Sequence, residues 1–68
     1  MKISARNQIE GRIVSVTPGA VNAAVKVDIG GGTIITSSIT EEAIADLGLT
    51  IGDTVIVIVK ASDVLIGK

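Results

Sequence analysis

The 68-residue sequence contains no cysteine, no histidine and no aromatic residue. Without cysteine the chain forms no disulfide and offers no thiolate ligand. Without histidine as well, zinc, copper and haem sites lose the two ligand types that they prefer, so we expect no metal cation bound directly by protein side chains. The missing aromatics remove the stacking platforms on which single-stranded nucleic acid is usually bound.

Charge is also scarce, since six Lys and Arg residues and seven Asp and Glu residues give a formal net charge of −1. Scattered charges of both signs argue against a broad surface for nucleic acid or acidic lipid. No apolar run approaches the ~20 residues that span a bilayer, and the N-terminal residues lack the apolar segment of a signal peptide. We therefore predict a cytoplasmic protein with no nucleic-acid or membrane partner.

Catalytic residues are poorly supplied, because histidine, cysteine and tyrosine are all absent. Glu41 and Glu42 form a carboxylate pair, but negative charge is favourable at a helix start and explains them without acid–base chemistry. The run Gly30-Gly31-Gly32 lacks the Lys-Ser/Thr of a phosphate-binding P-loop and predicts a hairpin turn. We predict that the protein is not an enzyme.

What the sequence does contain is β-branched aliphatic residues, which favour strands. The clearest period-two alternation runs from residue 21 to residue 29. It puts one apolar set on one face of a strand: Val21, Ala23, Val25, Val27 and Ile29. Further strands are predicted at residues 9–16, 33–39, 54–60 and 64–66. Gly11 predicts a bulge or bend in the first strand.

A short helix is predicted between the third and fourth strands. Thr40 is its expected N-cap, followed by two glutamates at the positive end of the helix dipole. Gly48 is expected to end the helix, with Leu49 packing back on it. The predicted class is all-β: an OB-like five-stranded barrel, with an SH3-like small barrel as the alternative. We expect a single domain over residues 1–68.

Self-association is predicted from chain length and from the fourth strand. Chains below about 70–80 residues usually need a disulfide, a metal or partner subunits to stabilise a small core. The fourth strand is apolar on both faces through Val55, Ile56, Val57, Ile58 and Val59. One face can line a barrel, and the other needs an oligomer to cover it. Cover by the helix or by a terminal segment is the alternative.

Two polar segments lie at predicted strand ends. The first is Ser4-Ala5-Arg6-Asn7-Gln8 and the second is Lys60-Ala61-Ser62. Each combines a cation, a hydroxyl and backbone amides, which are the donors that a tetrahedral oxyanion needs. Surface lysine and arginine are common, so the composition alone favours the simpler interpretation of two solvated strand ends.

The order of residues resembles the molbindin family, also called molybdenum-pterin-binding or Mop proteins. The resemblance starts at Ile3-Ser4-Ala5-Arg6-Asn7-Gln8-Ile9, continues through Gly19 and Asn22-Ala23, and ends with Val59-Lys60-Ala61-Ser62-Asp63-Val64. It covers essentially the whole chain. Its most specific feature is the Ser-Ala-Arg-Asn stretch combined with Lys-Ala-Ser-Asp-Val near the C-terminus.

This resemblance implies an OB-like barrel that assembles as a homo-oligomer, a hexamer built as a trimer of dimers. It implies binding of molybdate or tungstate at subunit interfaces, for intracellular storage and homeostasis. The anion would be held by one segment from each of two subunits: Ser4, Ala5 (amide) and Arg6 with Lys60, Ala61 (amide) and Ser62. No organic cofactor is expected, since no aromatic residue can stack on a pterin.

The resemblance also implies oxyanion sites on a three-fold axis. We assign this second site to the backbone amides of the turn Gly19-Ala20-Val21, where Pro18 removes one further amide. Two other functions stay open from the residues themselves. One is a structural or regulatory assembly module without its own ligand, and the weaker one is a nucleic-acid-binding OB module.

Overall fold

The strands of this protein form one antiparallel sheet that curls into a half-barrel. The computed structural model describes residues 1–68. The element order is β1 (Asn7–Thr17), β2 (Asn22–Asp28), β3 (Ile34–Thr40), α1 (Glu41–Leu47), β4 (Thr54–Val59) and a 3₁₀ turn over Ala61–Asp63. The strand order in the sheet is β3-β2-β1-β4. The fold is mainly β with one short helix, as predicted.

The core lies where the period-two pattern predicted it. Ala23, Val25 and Val27 of β2 are 2–3% exposed, and Ile13 of β1 is the only other fully buried residue. Half-buried apolar side chains flank them: Val16, Ile29, Ile39, Ile44, Leu49, Val55 and Val57. Val21, predicted on the same face as Ala23, instead precedes β2 and is 70% exposed. The core of the half-barrel is therefore small and surrounded by apolar side chains that are only partly buried.

The predicted fifth strand is absent from this structure, so the five-stranded barrel is corrected to a four-stranded sheet. Residues 64–66 follow the 3₁₀ turn without regular structure, and Leu65 and Ile66 are each 90% exposed. A strand exists through its ladder of hydrogen bonds to a neighbour. This segment pairs with no strand of its own chain, and apolar sequence alone does not supply a partner.

The irregularity predicted at Gly11 occurs three residues later in β1. The register to β2 shifts between Ile13 and Ser15, which leaves Val14 without a register partner. Gly11 pairs regularly with β4 and serves a different purpose. A Cβ there would lie 2.9 Å from the carbonyl oxygen of Asp28. Glycine is therefore needed for the close approach of β1 and β2.

The caps of α1 confirm the predicted helix ends. The hydroxyl of Thr40 accepts a hydrogen bond from the amide of Ala43 at 3.0 Å. Gly48 is left-handed, with φ 62° and ψ 41°. The amide of Leu49 donates to the carbonyl of Ile44 at 3.1 Å, and Leu49 packs on the core. The chain has no helix with the length and apolar character needed to cross a membrane.

Candidate functional site

The two predicted anion-binding segments emerge from the same end of the sheet. Asn7, the first residue of β1, is in register with Val59, the last residue of β4. Because the two strands are antiparallel neighbours, the residues before β1 and after β4 leave the sheet side by side. The side-chain amide of Asn7 donates a hydrogen bond to the carbonyl of Val59 at 3.1 Å, which adds a second link between β1 and β4 at this end of the sheet. The structure therefore places residues 4–6 and 60–62 of one chain at the same end of the sheet.

The N-terminal segment keeps its polar side chains free. Gln8 Nε2 donates to the carbonyl oxygen of Ala5 at 2.9 Å, which holds the backbone just before β1. Ser4 and Arg6 are exposed, and Ala5 is half-buried. Neither the Ser4 hydroxyl nor the Arg6 guanidinium takes part in any side-chain hydrogen bond of the chain. A hydroxyl and a planar set of guanidinium donors are available at this end.

The C-terminal segment is a single 3₁₀ turn whose first amides have no partner within it. The amide of Asp63 donates to the carbonyl of Lys60 at 2.9 Å. The amides of Ala61 and Ser62 precede this first bond, so the turn itself provides no acceptor for them. The side chains of Lys60 and Ser62 are exposed and make no hydrogen bond. The segment adds an ammonium, a hydroxyl and two amides.

Together the two segments make a donor-rich patch of two cations, two hydroxyls and backbone amides. Hydrogen bonds that involve a charged group contribute about 1.5–3 kcal/mol each. The four oxygens of a tetrahedral dianion can accept from several such donors at once. In the single chain this patch is open to solvent, because nearly all of these residues are exposed.

The turn predicted as the second site is partly occupied by the protein itself. The amide of Gly19 donates to Oε1 of Glu41 at 2.9 Å, and the amide of Glu41 donates to the carbonyl of Val21 at 2.9 Å. The amides of Ala20 and Val21 have no such acceptor. Sequence reasoning explained Glu41 by the helix dipole and missed this contact, which joins residues 22 positions apart and leaves no local signal.

An apolar concavity elsewhere on the chain is a different feature. It is a groove of about 580 Å³ on the open inner surface of the half-barrel. Eleven of its fourteen lining residues are hydrophobic, and Asp53 has the only charged side chain among them. An apolar groove whose single charge is negative does not suit an oxyanion. The groove is therefore separate from the donor-rich patch.

Comparison with known proteins identifies the family. Residues 3–66 match the TOBE domain. The probable molybdenum-pterin-binding protein of Haemophilus influenzae is 46% identical over 67 residues, which make up 98% of this chain and 97% of that protein. Molybdenum-pterin-binding protein 3 of Clostridium pasteurianum is 44% identical over 66 residues, covering 97% of each chain.

Solved structures agree with the sequence relatives. A molybdate-binding protein from Sporomusa ovata superposes with a TM-score of 0.93 at 38% identity and covers 100% of both chains. The cytoplasmic molybdate-binding protein ModG, solved with molybdate bound, superposes with a TM-score of 0.90 at 45% identity. The match covers 96% of this chain and 46% of ModG. From the TOBE match, the relatives and the two fold superpositions, we conclude that this chain belongs to the molybdenum-pterin-binding, or Mop, family.

Proposed function

We propose that this protein binds molybdate, or the equally tetrahedral tungstate, and stores it in the cytoplasm. The observation that carries the proposal is the Asn7–Val59 register, which puts the two donor-rich segments of each chain at the same end of the sheet. The names of the relatives and the molybdate held by ModG support the choice of anion. In this proposal residues 1–68 act as one Mop-type domain, and the anion is bound and released without chemical change.

Each residue of the proposed site has a distinct part. Arg6 offers a planar fork of donors, while Lys60 offers a compact point charge, and together they neutralise a dianion. The hydroxyls of Ser4 and Ser62 donate to its remaining oxygens. Backbone amides contributed by Ala5 and Ala61 complete the set, because amides at chain turns make anion-binding concavities. Such a site requires neither a metal ligand nor an organic cofactor.

We further propose that the site is completed between subunits of a homo-oligomer, arranged as a hexamer. Exposed apolar residues support association: Ile56 and Ile58 of β4, and Val64, Leu65 and Ile66 of the tail. Removing apolar surface from water stabilises by roughly 25 cal/mol per Å². A second copy can supply the strand partner that residues 64–66 lack. It can also cover the solvent-exposed donor-rich patch formed by residues 4–6 and 60–62.

Isothermal titration with molybdate tests the proposed function. We expect saturable binding by the native protein, and about 10- to 100-fold weaker binding for Arg6→Ala and for Lys60→Ala, since each loses charge-assisted hydrogen bonds. Lys26→Ala is the matched control, because Lys26 is an exposed cation within β2 and is expected to bind normally. A native protein that gives only the heat of buffer mixing would refute the proposal.

An assembly module without its own ligand is the second candidate, favoured by the exposed apolar tail and groove. Thermal melts separate the two functions. A ligand present at 100 times its Kd adds about 2.7 kcal/mol of apparent stability. A storage protein therefore melts at a higher temperature with molybdate, while a module that only assembles melts at the same temperature with and without it.

A further inference from the structure

Gln8 makes the one hydrogen bond that holds the segment before β1. Residues 1–6 have no regular secondary structure and take part in no backbone–backbone hydrogen bond. The side-chain Nε2 of Gln8 donates to the carbonyl oxygen of Ala5 at 2.9 Å. The backbone of Gln8 is itself fixed in the sheet, where it is in register with Ile58 of β4. The contact therefore ties an otherwise unpaired segment to a strand.

The neighbouring Asn7 makes a contact of a different kind. Its side chain is half-buried and donates to the carbonyl of Val59, 52 positions away, so that it links two strands. Gln8 is exposed, and its bond reaches back only three residues within one segment. A neutral hydrogen bond at the surface competes with water and adds little to the free energy of unfolding. The effect of the Gln8 contact is therefore local to the peptide that it holds.

The Gln8 contact fixes the direction in which the Ala5–Arg6 peptide faces. In a trans peptide the carbonyl oxygen and the following N–H point in opposite directions, and the chain has no cis peptide bond. With the Ala5 carbonyl held by Gln8, the backbone amide of Arg6 faces the other way, where it has no acceptor within the chain. A flip of this peptide would exchange that donor for a carbonyl oxygen, whose partial negative charge repels an anion.

We propose that Gln8 is a positioning residue of the oxyanion site, and that it orients the Arg6 backbone amide as a further donor to the anion. By occupying the Ala5 carbonyl, Gln8 also removes an acceptor that would compete for the Ser4 hydroxyl and the Arg6 guanidinium. Donors that are oriented before the ligand arrives lose less conformational entropy on binding. This inference rests on the proposed function and adds one donor and one positioning residue to that site.

Gln8→Met tests this role, because methionine has a similar length but no donor. Thr36→Val is the matched control, since it also replaces an exposed polar side chain of a strand by an apolar one, and the Thr36 hydroxyl makes no hydrogen bond. Isothermal titration with molybdate measures the affinity, and thermal melts without molybdate measure the stability. The NMR resonance of the Arg6 backbone amide reports on the peptide itself, through its mobility without anion and its shift when molybdate is added.

We expect Gln8→Met to bind molybdate about 3- to 10-fold more weakly than the native protein, which is the effect of losing one neutral hydrogen bond. Thr36→Val should bind like the native protein, and the two variants should melt at the same temperature without molybdate. In Gln8→Met the Arg6 amide should be more mobile without anion, and its shift at saturating molybdate should be smaller, because the peptide is no longer held in one orientation.

The proposal is overturned if Gln8→Met binds molybdate as tightly as the native protein. It is equally overturned if binding weakens while the Arg6 amide keeps its native mobility and its native shift. The titration of the native protein separates this inference from the proposed function. A native protein that gives only the heat of buffer mixing refutes the function and the role of Gln8 with it. Native binding combined with an unaffected Gln8→Met refutes the role of Gln8 alone.

Discussion

Two glycines set the closest contacts of the backbone, although neither has an unusual φ. Gly11 lets β1 approach the carbonyl oxygen of Asp28, and Gly19 lets the next turn fold over the carbonyl oxygen of Asn22. The obstructing atom at Gly19 belongs to the backbone, and at Gly11 a backbone oxygen lies beside the side chain of Val27, so movement of a side chain alone relieves neither contact. Gly11 and Gly19 must be glycine because there is no room for a Cβ atom. Gly48 is glycine for a different reason, since its left-handed backbone conformation disfavours residues with a Cβ.

We expect Gly11→Ala to destabilise the protein by about 1–3 kcal/mol, because the new methyl group must displace packed strands. Its Cβ would lie 2.5 Å from Cγ1 of Val27 as well as 2.9 Å from the carbonyl oxygen of Asp28. Urea or thermal unfolding measures the loss. Gly67→Ala is the control, since its Cβ would meet open space. Equal stability of the two variants would contradict the close-approach explanation.

The role of a single residue was predicted best where it depends on neighbours in the sequence. The cap residues Thr40 and Gly48 could be predicted together with the helix, because capping depends on the few residues nearest to each helix end. Gly11 was flagged as special, but the sequence could not distinguish a bulge from a close approach. For Glu41 the sequence predicted the favourable position at the helix start but not the hydrogen bond to Gly19, because that contact depends on how distant elements pack.

At the level of elements, α1 packs against β2 and β3 although it is only seven residues long. A helix this short is unstable alone and depends on its caps and on tertiary contacts. Ile44 packs against the core, and Leu49 returns to it immediately after the C-cap. The helix thus covers part of the inner surface, but the groove beside it stays open.

Thr40→Ala should destabilise the protein by about 1 kcal/mol, because the amide of Ala43 loses the hydroxyl that it donates to. Thermal unfolding followed by circular dichroism measures the change. Thr50→Ala deletes a hydroxyl that makes no hydrogen bond and lies outside any regular element, so it serves as the reference. A loss in Thr50→Ala as large as in Thr40→Ala would argue against the cap.

The four strands were predictable to within two residues because burial on one face leaves a period-two imprint in the sequence. The fifth was not, because residues 64–66 carry apolar character without any information on which strand should pair with them. The candidate site, too, was predictable only in part. Its two segments were proposed from their donors together with the family resemblance, while their position at one end of the sheet follows from the β1–β4 register, which no local pattern encodes.

At the level of the whole molecule, the proposed oligomer decides which chains contribute to one anion site. Both segments of a single chain lie at one sheet end, so each site can be built from one chain or shared between two. Mixing Arg6→Ala subunits with Lys60→Ala subunits distinguishes these arrangements. If the segments come from different chains, about a quarter of the sites in randomly mixed oligomers regain both cations.

We expect this mixture to recover tight molybdate binding, since we propose that the sites lie between subunits. The measurement is titration after the two variants have been unfolded and refolded together. Each variant refolded alone is the control and should stay weak. A mixture as weak as the separate variants would place both cations of each site in the same chain and would correct the proposed arrangement while retaining the ligand.

The Asn7–Val59 contact affects which part of the chain unfolds first. It joins positions 52 residues apart, which makes it one of the longest chain closures in the fold and an entropically demanding one. In the proposed arrangement an anion held by the first segment of one chain and the second segment of another would tie this end of one chain to the same end of its neighbour. Depletion of the anion would then loosen the edge strand β4 first, so that a protease should cleave the anion-free protein sooner than the anion-bound protein.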